Sequence, residues 1–243
     1  MEDQLNSLIS PAKSFHSERG AQYALRALTD GNYKPLFLSQ LVALKTGANH
    51  DCPFWSTDIA TPDSVMKGRT KGGLDVLVIA HVPNYFSNPD NLNRAVQEGL
   101  INGYGSIPVA EFHRTLDLEE KEKVIVLAGN KYDEFISAPE GDLSELGYLS
   151  PGDYLAACSI LTHPAPTPFI GERSKARNYI LAHKKIFGNH FGIWHKLPDS
   201  DKPIGGLLHL GSSGNNSIGI HALDSETRFI GVPGRTEYAL PPS

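Results

Sequence analysis

The stretch "LDVLVIAHVP", residues 74–83, decides the fold class, because it is a continuous apolar run of strand length rich in β-branched residues. A second run of the same kind, "KVIVLAG", occupies residues 123–129. Apolar residues in consecutive rather than alternating positions are typical of strands covered on both faces. The sequence therefore predicts two buried strands at the centre of the fold.

The segment between these two runs, "NPDNLNRAVQEGLING" at residues 88–103, predicts a helix. Asn88 is suited to cap its start, and Pro89 fits the first helical position. Apolar side chains then recur at helical spacing at Leu92, Ala95, Val96 and Leu100. Strand, helix and strand in this order indicate a βαβ-like centre with buried strands.

The flanking segments add helices before this centre and mainly strands after it. Residues 17–28 and 34–47 have apolar positions at helical spacing and predict an N-terminal helical pair. Residues 150–161 and 171–189 predict two further helices. Four short β-type segments between residues 191 and 234 predict a C-terminal antiparallel set. Thr61 and Pro62 are expected to begin one more helix.

These elements together predict a mixed α/β fold, with α+β as the alternative. No repeat or linker divides the chain, so we expect a single composite domain over residues 1–243. Its helical N-terminal part would cover residues 1–47 and its α/β core residues 48–190. The C-terminal β part would cover residues 191–236.

The overall composition excludes several functional classes. The chain has 22 basic and 27 acidic residues and a formal net charge of −5, with no run rich in Lys or Arg, so we expect no nucleic-acid partner. The longest apolar runs are too short to span a bilayer, so we expect no membrane partner. Two cysteines and an acidic start without a signal sequence favour a cytoplasmic protein. The oligomeric state is open.

The polar residues that follow the first buried strand are the leading candidates for catalysis. His81, Asn84 and Tyr85 lie in the predicted loop after that strand. Ligands of sheets covered on both faces bind beyond the carboxyl ends of the strands. We therefore assign His81 as a general base, with Asn84 and Tyr85 orienting the substrate. The alternative is a buried histidine with an ordinary hydrogen bond.

The residues after the second strand are candidates for substrate binding. Asn130 and Lys131 would lie at the same sheet edge as His81 if the two strands are parallel neighbours. With Asp133 they form a pattern similar to the guanine-specificity element of GTP-binding proteins. The chain has no phosphate-binding glycine loop, so we interpret that match as accidental.

Glu111 and His113 form a candidate supporting pair. In an extended segment they would point to the same side, so that the carboxylate could orient and charge the ring. No metal site is predicted, because the spacing supplies no third ligand and the motif H-E-x-x-H is absent.

The loop "GANHDCPFWSTDIATPD", residues 47–63, concentrates reactive side chains. Cys52 is a candidate nucleophile, and His50 and Trp55 are candidates for substrate binding. The alternative is a well-packed loop in which Phe54 and Trp55 are anchors and Cys52 is a small buried hydrophobe.

These candidates favour a small cytoplasmic enzyme, a hydrolase or lyase, that applies general acid–base chemistry to a small polar substrate. No dinucleotide or phosphate-binding fingerprint is present, so we expect no redox cofactor and no cofactor of another kind. On this hypothesis, His81→Ala abolishes activity and leaves the melting temperature nearly unchanged.

The alternative function is a non-catalytic binding or regulatory protein with an aromatic, mildly acidic interaction face. Aromatic side chains dominate the binding energy of many interfaces. The expected contact residues are Phe54, Trp55, Tyr85, Phe86 and Trp194.

Overall fold

The computed structural model describes residues 12–49, 51–118, 123–143 and 159–234. Its strands are β1 (Lys13–Ser17), β2 (Tyr33–Pro35), β3 (Ile59–Arg69), β4 (Asp75–Ala80), β5 (Gly105–Ser106), β6 (Val124–Ala128), β7 (Gly141–Asp142), β8 (Gly192–Trp194), β9 (Ile204–Ser213), β10 (Asn216–His221) and β11 (Thr227–Pro233). Its α-helices are α1 (Ala21–Asp30), α2 (Leu38–Gly47), α3 (Pro89–Gln97), α4 (Val109–Leu116), α5 (Asn130–Ser137), α6 (Pro166–Ile170) and α7 (Arg173–Phe187). A 3₁₀ helix covers Tyr85–Ser87.

The strands form two sheets. The larger sheet has the order β6-β4-β3-β9-β10-β8-β7, and the short strand β5 pairs with β9. Its pairings are antiparallel except that of β8 with β10, which is parallel. The smaller sheet has the order β1-β11-β2, so its middle strand is the last of the described strands.

The larger sheet is covered on both faces, as its apolar runs predict. In β4, Leu77 and Ile79 belong to one hydrophobic cluster, which includes the buried residues of α2 and α7. Val76, Val78 and Ala80 belong to a second cluster, which includes the buried residues of α1 and α3. Successive side chains of a strand point to opposite faces of the sheet. Because both faces of β4 are covered by a hydrophobic cluster, its apolar residues are consecutive.

The mixed α/β fold class is confirmed, and so is the helix after β4. The second apolar run forms β6, but β6 is an edge strand of the larger sheet in which only Val124 is buried, so its predicted burial at the centre of the fold is wrong. Asn88 caps α3 by accepting a hydrogen bond from the backbone N–H of Asp90 at 2.8 Å, and Pro89 is its first residue. The strands β4 and β6 are neighbours, but they run antiparallel, with Val76 opposite Ala128 and Ala80 opposite Val124. The polar residues that follow the two strands therefore lie at opposite ends of the sheet.

Two local predictions are wrong. Thr61 and Pro62 begin no helix but lie inside β3, where the pairing with β9 shifts register between Ala60 and Ser64. The hydroxyl of Thr61 donates to the carbonyl of Leu208 at 3.1 Å, which satisfies it within the sheet. The segment with Glu111 is helical rather than extended, because it forms α4. Most of the helix predicted at residues 150–161 lies outside the described residues.

Among the described residues, no helix is both long enough and apolar enough to cross a membrane.

Candidate functional site

His81, the predicted general base, has a structural role, because its ring is hydrogen-bonded to two other elements of the fold. Its Nδ1 lies 2.6 Å from a carboxylate oxygen of Asp63, which is fully buried in β3, and its Nε2 lies 2.9 Å from the carbonyl oxygen of Pro168 in α6. The other oxygen of Asp63 accepts the backbone N–H of Leu38 at 2.6 Å, at the first residue of α2. One histidine and one aspartate thus connect three elements of the fold.

Both partners of the His81 ring are acceptors, so both ring nitrogens donate. Burial lowers the pKa of His81, but the hydrogen bond and the charge of Asp63 outweigh it, and the pKa is raised above its ordinary value. A general base needs a free ring nitrogen that accepts a proton. His81 offers none, so its assignment as the catalytic base is wrong.

The side chains of Asn84 and Tyr85 also have structural positions: one caps a helix and the other packs in the core. The side chain of Asn84 caps the 3₁₀ helix by accepting the N–H of Phe86 at 3.0 Å, and it donates to the carbonyl of Pro62 at 3.0 Å. Tyr85 is buried against the ring of Phe86, with ring centroids 5.4 Å apart. Neither side chain is presented to a ligand.

Asn130 and Lys131 do not approach His81. They are exposed at the start of α5, which follows the far end of β6. Because β4 and β6 are antiparallel, about six residues of strand separate them from His81, or roughly 20 Å. The predicted convergence at one sheet edge is therefore wrong.

Glu111 and His113 do not form a pair. Glu111 and His113 are two positions apart on a helix, where each position turns by about 100°. Their side chains therefore point in directions about 200° apart and diverge. Glu111 binds the guanidinium of Arg114 at 2.6 Å, and Nε2 of His113 donates to the carbonyl of Arg69 at 3.0 Å.

The loop before β3 is a packed wall of the core rather than a catalytic site. Trp55 is buried and stacks on Tyr179 of α7 with ring centroids 6.0 Å apart. Cys52 is half-buried against the same cluster, and no described histidine is hydrogen-bonded to its thiol. His50 lies outside the described residues. Among the described residues, no three His, Cys, Asp or Glu side chains are grouped to hold a metal ion.

The predicted aromatic interaction face is wrong for four of its five residues. Phe54, Trp55, Tyr85 and Phe86 are buried in the two hydrophobic clusters. Trp194 is 46% exposed, at the end of β8. Its indole N–H donates to the carbonyl of Asn215 at 3.1 Å.

Several clefts open on the described surface. One of about 440 Å³ is lined by residues 47–49 and 51–53 of the loop before β3, Cys52 among them. Two others are lined mainly by polar and charged residues. The first, the α4 cleft, has a volume of about 280 Å³ and lies between β3, α4 and residues 200–204. Most of its charge is compensated by ion pairs: Lys67 with Asp199 at 2.7 Å, Arg69 with Asp75 at 2.9 Å and Lys71 with Asp117 at 3.2 Å.

The second, the inter-sheet cleft, lies where the smaller sheet meets the end of β9. Its volume is about 270 Å³. All eight of its lining residues have hydrogen-bonding side chains: His16, Ser56, Thr57, Asp58, Ser212, Glu226, Thr227 and Arg228. Ligand cavities are usually lined by apolar groups with a few polar ones. The residues of this cleft differ from that pattern and suit only polar partners.

Two contacts fix the charged side chains at one end of the inter-sheet cleft. His16 on β1 and Glu226 before β11 are hydrogen-bonded at 2.8 Å. The guanidinium of Arg228 donates to the hydroxyl of Ser14 at 2.9 Å. Both contacts connect β1 with the segment that contains β11, so the paired strands hold these groups in place.

The other end of the cleft is supported by a polar network that extends from the exposed Asp58 to the buried His209. The amide of Asn216 donates to Asp58 at 3.4 Å and accepts from Nε2 of His209 at 3.0 Å. The His209 ring lies 5.5 Å from the ring of His221. Burial lowers the pKa of both histidines, that of His221 to about 3, so both are neutral at neutral pH.

Two glycines fix the backbone of the adjacent β9–β10 hairpin. A Cβ atom on Gly192 would lie 2.0 Å from the carbonyl oxygen of Asn215, and one on Gly211 would lie 1.6 Å from that of Asn216. The side chains of Ser213 and Asn215 are nevertheless exposed. The backbone of the hairpin is therefore closely packed at these two glycines, while its side-chain positions 213 and 215 are open.

The comparisons with known proteins identify the fold family. A solved structure, described as an accommodation of massive sequence variation in Nanoarchaeota by the C-type lectin fold, is 34% identical in sequence. The match has a TM-score of 0.77 and covers 91% of this chain and 97% of that chain. The chain belongs to the C-type lectin fold family. No protein-family model and no curated protein matches it.

Membership of the C-type lectin fold family overturns the predicted hydrolase or lyase function. The neighbour suggests binding rather than catalysis, which agrees with the alternative function. The geometry agrees as well, because His81, Glu111, His113 and Cys52 do not converge on one cavity.

The groups around the inter-sheet cleft were not predicted as a site, although one signal was present. In α2 the buried positions are Leu38, Leu41, Val42 and Lys45. A lysine at the i+7 position of an apolar stripe is unusual, because lysine is almost never fully buried unless it is paired. This pattern indicates a buried polar contact but does not name its partners.

Proposed function

We propose that this member of the C-type lectin fold family is a non-catalytic binding protein whose ligand docks in the inter-sheet cleft. The observation that carries the proposal is the entirely polar lining of a cleft of about 270 Å³ on a protein with this fold. Such a lining favours a hydroxyl-rich ligand, and a carbohydrate is the ligand class that we infer.

The cleft offers complementary hydrogen-bonding groups to such a ligand. The carboxylates of Asp58 and Glu226 are exposed and accept hydrogen bonds from hydroxyl groups. The guanidinium of Arg228 donates to hydroxyl oxygens, and the serine and threonine side chains do both. Hydrogen bonds to charged groups are stronger than those between neutral groups, so the two carboxylates should contribute most to affinity.

The hairpin next to the cleft supports a role in specificity. The neighbouring structure concerns massive sequence variation on this fold. In this chain the exposed positions Ser213 and Asn215 are open to substitution, because Gly192 and Gly211 fix the backbone beneath them. We infer that substitutions in the hairpin change the preferred ligand without changing the fold. The exposed ring of Trp194 adds an apolar surface against which a sugar ring can stack.

A panel of immobilised neutral and acidic oligosaccharides tests the proposal directly. We expect the wild-type protein to bind at least one of them in biolayer interferometry. The double variant Asp58→Asn, Glu226→Gln should lose roughly tenfold or more in affinity. Asp201→Asn is the matched control, since it neutralises an exposed carboxylate of the α4 cleft, and it should bind as the wild type does.

Three results would contradict the proposal. The first is the absence of binding to every oligosaccharide in the panel. The second is an equal loss of affinity in the double variant and in the control, which would remove the inter-sheet cleft from binding. The third is cleavage of a bound oligosaccharide, detected by mass spectrometry, which would show that the protein is catalytic.

A further inference from the structure

Lys45 is a fully buried cation beneath the inter-sheet cleft. It lies on the apolar stripe of α2. Its Nζ lies 5.9 Å from the centre of the Phe54 ring and 5.8 Å from that of Trp55. A lysine in such surroundings loses its hydration and must find other partners.

The partners of Lys45 are two backbone carbonyl groups, one from a residue that lines the cleft and one from the neighbour of a lining residue. Its Nζ donates to the carbonyl of Gly211 at 2.8 Å and to that of Thr57 at 3.3 Å. Thr57 itself lines the cleft, and Gly211 directly precedes Ser212, which lines the opposite wall. The two carbonyl groups come from segments far apart in sequence, which pair as β3 and β9 from Ile59 and Leu210 onward, and Lys45 adds a connection just beyond the end of that pairing.

No described carboxylate is hydrogen-bonded to Lys45, so its charge is balanced only from a distance. A buried ion without a bonded counterion is generally less stabilising than a well-packed apolar side chain of similar size. A methionine at this position would pack in the same space without this disadvantage. Global stability therefore does not explain why a charged lysine rather than an apolar residue stands at position 45.

We propose that Lys45 is a positioning residue of the inter-sheet cleft, whose ammonium group ties the wall with Thr57 to the wall with Ser212 and makes the shape of the cleft depend on pH. This inference rests on the proposed function, because the cleft that Lys45 shapes is the proposed ligand site.

Few charged or titratable groups lie around Lys45. The loop before β3 contributes Asp58 and Cys52, α7 contributes His183 and β9 contributes His209. The helix α6 has no titratable side chain, and Asp63 of β3 binds the far end of α2 at Leu38.

Lys45 changes its charge near neutral pH, whereas its histidine neighbours do not. Burial lowers the pKa of Lys45 to about 7, although the negative charge of Asp58 acts to raise it. Burial and the Lys45 charge lower the pKa of His183 to about 3, and burial lowers that of His209 as well. Both histidines are therefore neutral over the range in which Lys45 titrates.

The direction of the effect follows from hydrogen-bond strength. Below about pH 7 the ammonium group forms charge-assisted bonds with both carbonyl groups, which are roughly twice as strong as neutral ones. Above that pH the neutral amine holds the two walls more weakly. The same titration acts oppositely on global stability, because the unfolded chain binds this proton more tightly and stability rises with pH above 7. A tighter cleft and a less stable fold should thus coincide at low pH.

The first experiment uses the wild-type protein without ligand. The Lys45 side chain is followed by carbon-13 NMR from pH 5 to 11, and amide exchange is measured at Asp58 and Ser212. We expect Lys45 to titrate near pH 7, and protection of the two amides to fall roughly fivefold between pH 6 and 8.5. Titration above pH 9, or protection that does not change with pH, would overturn the inference.

The second experiment compares Lys45→Met with Lys34→Met, an exposed lysine on β2. We expect Lys45→Met to be as stable as the wild type or more so, and to bind the oligosaccharide identified on the panel roughly fivefold more weakly at pH 6, without pH dependence. Lys34→Met should behave as the wild type. A loss of stability with unchanged affinity would reduce Lys45 to a structural residue and contradict the inference.

The two proposals fail in distinguishable ways. If no oligosaccharide binds, the proposed function is wrong, whereas the titration and the amide exchange still test Lys45 on the free protein. If Lys45→Met does not fold, the wild-type titration decides alone.

Discussion

Replacing His81 with alanine tests the reassignment of this residue from catalyst to structural residue. In the wild-type protein the ring donates to the buried carboxylate of Asp63 at 2.6 Å and to the carbonyl of Pro168 at 2.9 Å. His81→Ala leaves Asp63 buried, with the backbone N–H of Leu38 as its remaining partner. Removing one partner of a buried ion pair costs about 3–5 kcal/mol. For a chain of this length, that corresponds to a fall in Tm of roughly 6–20 °C.

The dependence on pH makes the test of His81 sharper. Since the pKa of His81 is raised in the folded protein, its stabilisation is complete below the unfolded value near pH 6.5 and is lost as the pH rises through the folded value. The difference in unfolding free energy between wild type and His81→Ala should therefore be largest at pH 6 and smaller at pH 9. Urea denaturation followed by circular dichroism measures this difference.

A matched control is His113→Ala, which removes one hydrogen bond at a partly exposed position and should cost less than about 1 kcal/mol. The reasoning would be refuted if His81→Ala unfolded within 2 °C of the wild type, a threshold well below the expected shift. A difference in unfolding free energy that grows from pH 6 to pH 9 would also refute it, because the pKa of His81 would then not be raised in the folded protein.

Three further substitutions test other parts of the fold by thermal unfolding. Asn88→Ala removes the cap that accepts the N–H of Asp90 and should destabilise by about 1 kcal/mol, and an unchanged Tm would mean that α3 needs no cap. Gly211→Ala places a Cβ atom against the carbonyl oxygen of Asn216 and should cost about 1–3 kcal/mol or more, whereas a neutral result would show that the hairpin backbone moves freely. Tyr179→Phe removes a buried hydroxyl that donates to a backbone carbonyl at 3.1 Å and should cost about 1 kcal/mol, and a gain in stability would contradict the importance of that bond.

The sequence predicts the elements of this fold better than their pairing. The strand β4 is predictable because burial on both faces requires consecutive apolar residues. The same pattern locates β6 but overstates its burial, because β6 is an edge strand with an exposed Val126. Their antiparallel direction is not predictable from that pattern, because a parallel pair buried on both faces has the same pattern. A single helix between them would favour a parallel crossover, but the connection contains α3, β5 and α4, and the two strands are antiparallel neighbours.

The candidate site was missed because its contacts are long-range. Lys45 and the carbonyl group of Gly211 are 166 positions apart, and Asn216 and Asp58 are 158 apart. No periodic pattern connects positions so distant. The histidine candidates are reactive residue types at predicted loop positions, but a buried histidine that is fully hydrogen-bonded has the same local sequence as a catalytic one.

The central position of β11 in the smaller sheet affects how the molecule is made. During synthesis β1 and β2 emerge early, but each pairs only with β11, which emerges some 200 residues later. Contacts of such high sequence separation slow folding and leave unpaired strands open to aggregation. Glu226 and Arg228 arrive with the same late segment. A ribosome-bound chain therefore contains most of the residues of the hydrophobic core before it contains all residues of the inter-sheet cleft, and proteins truncated before residue 226 should lack the site that we propose for the ligand.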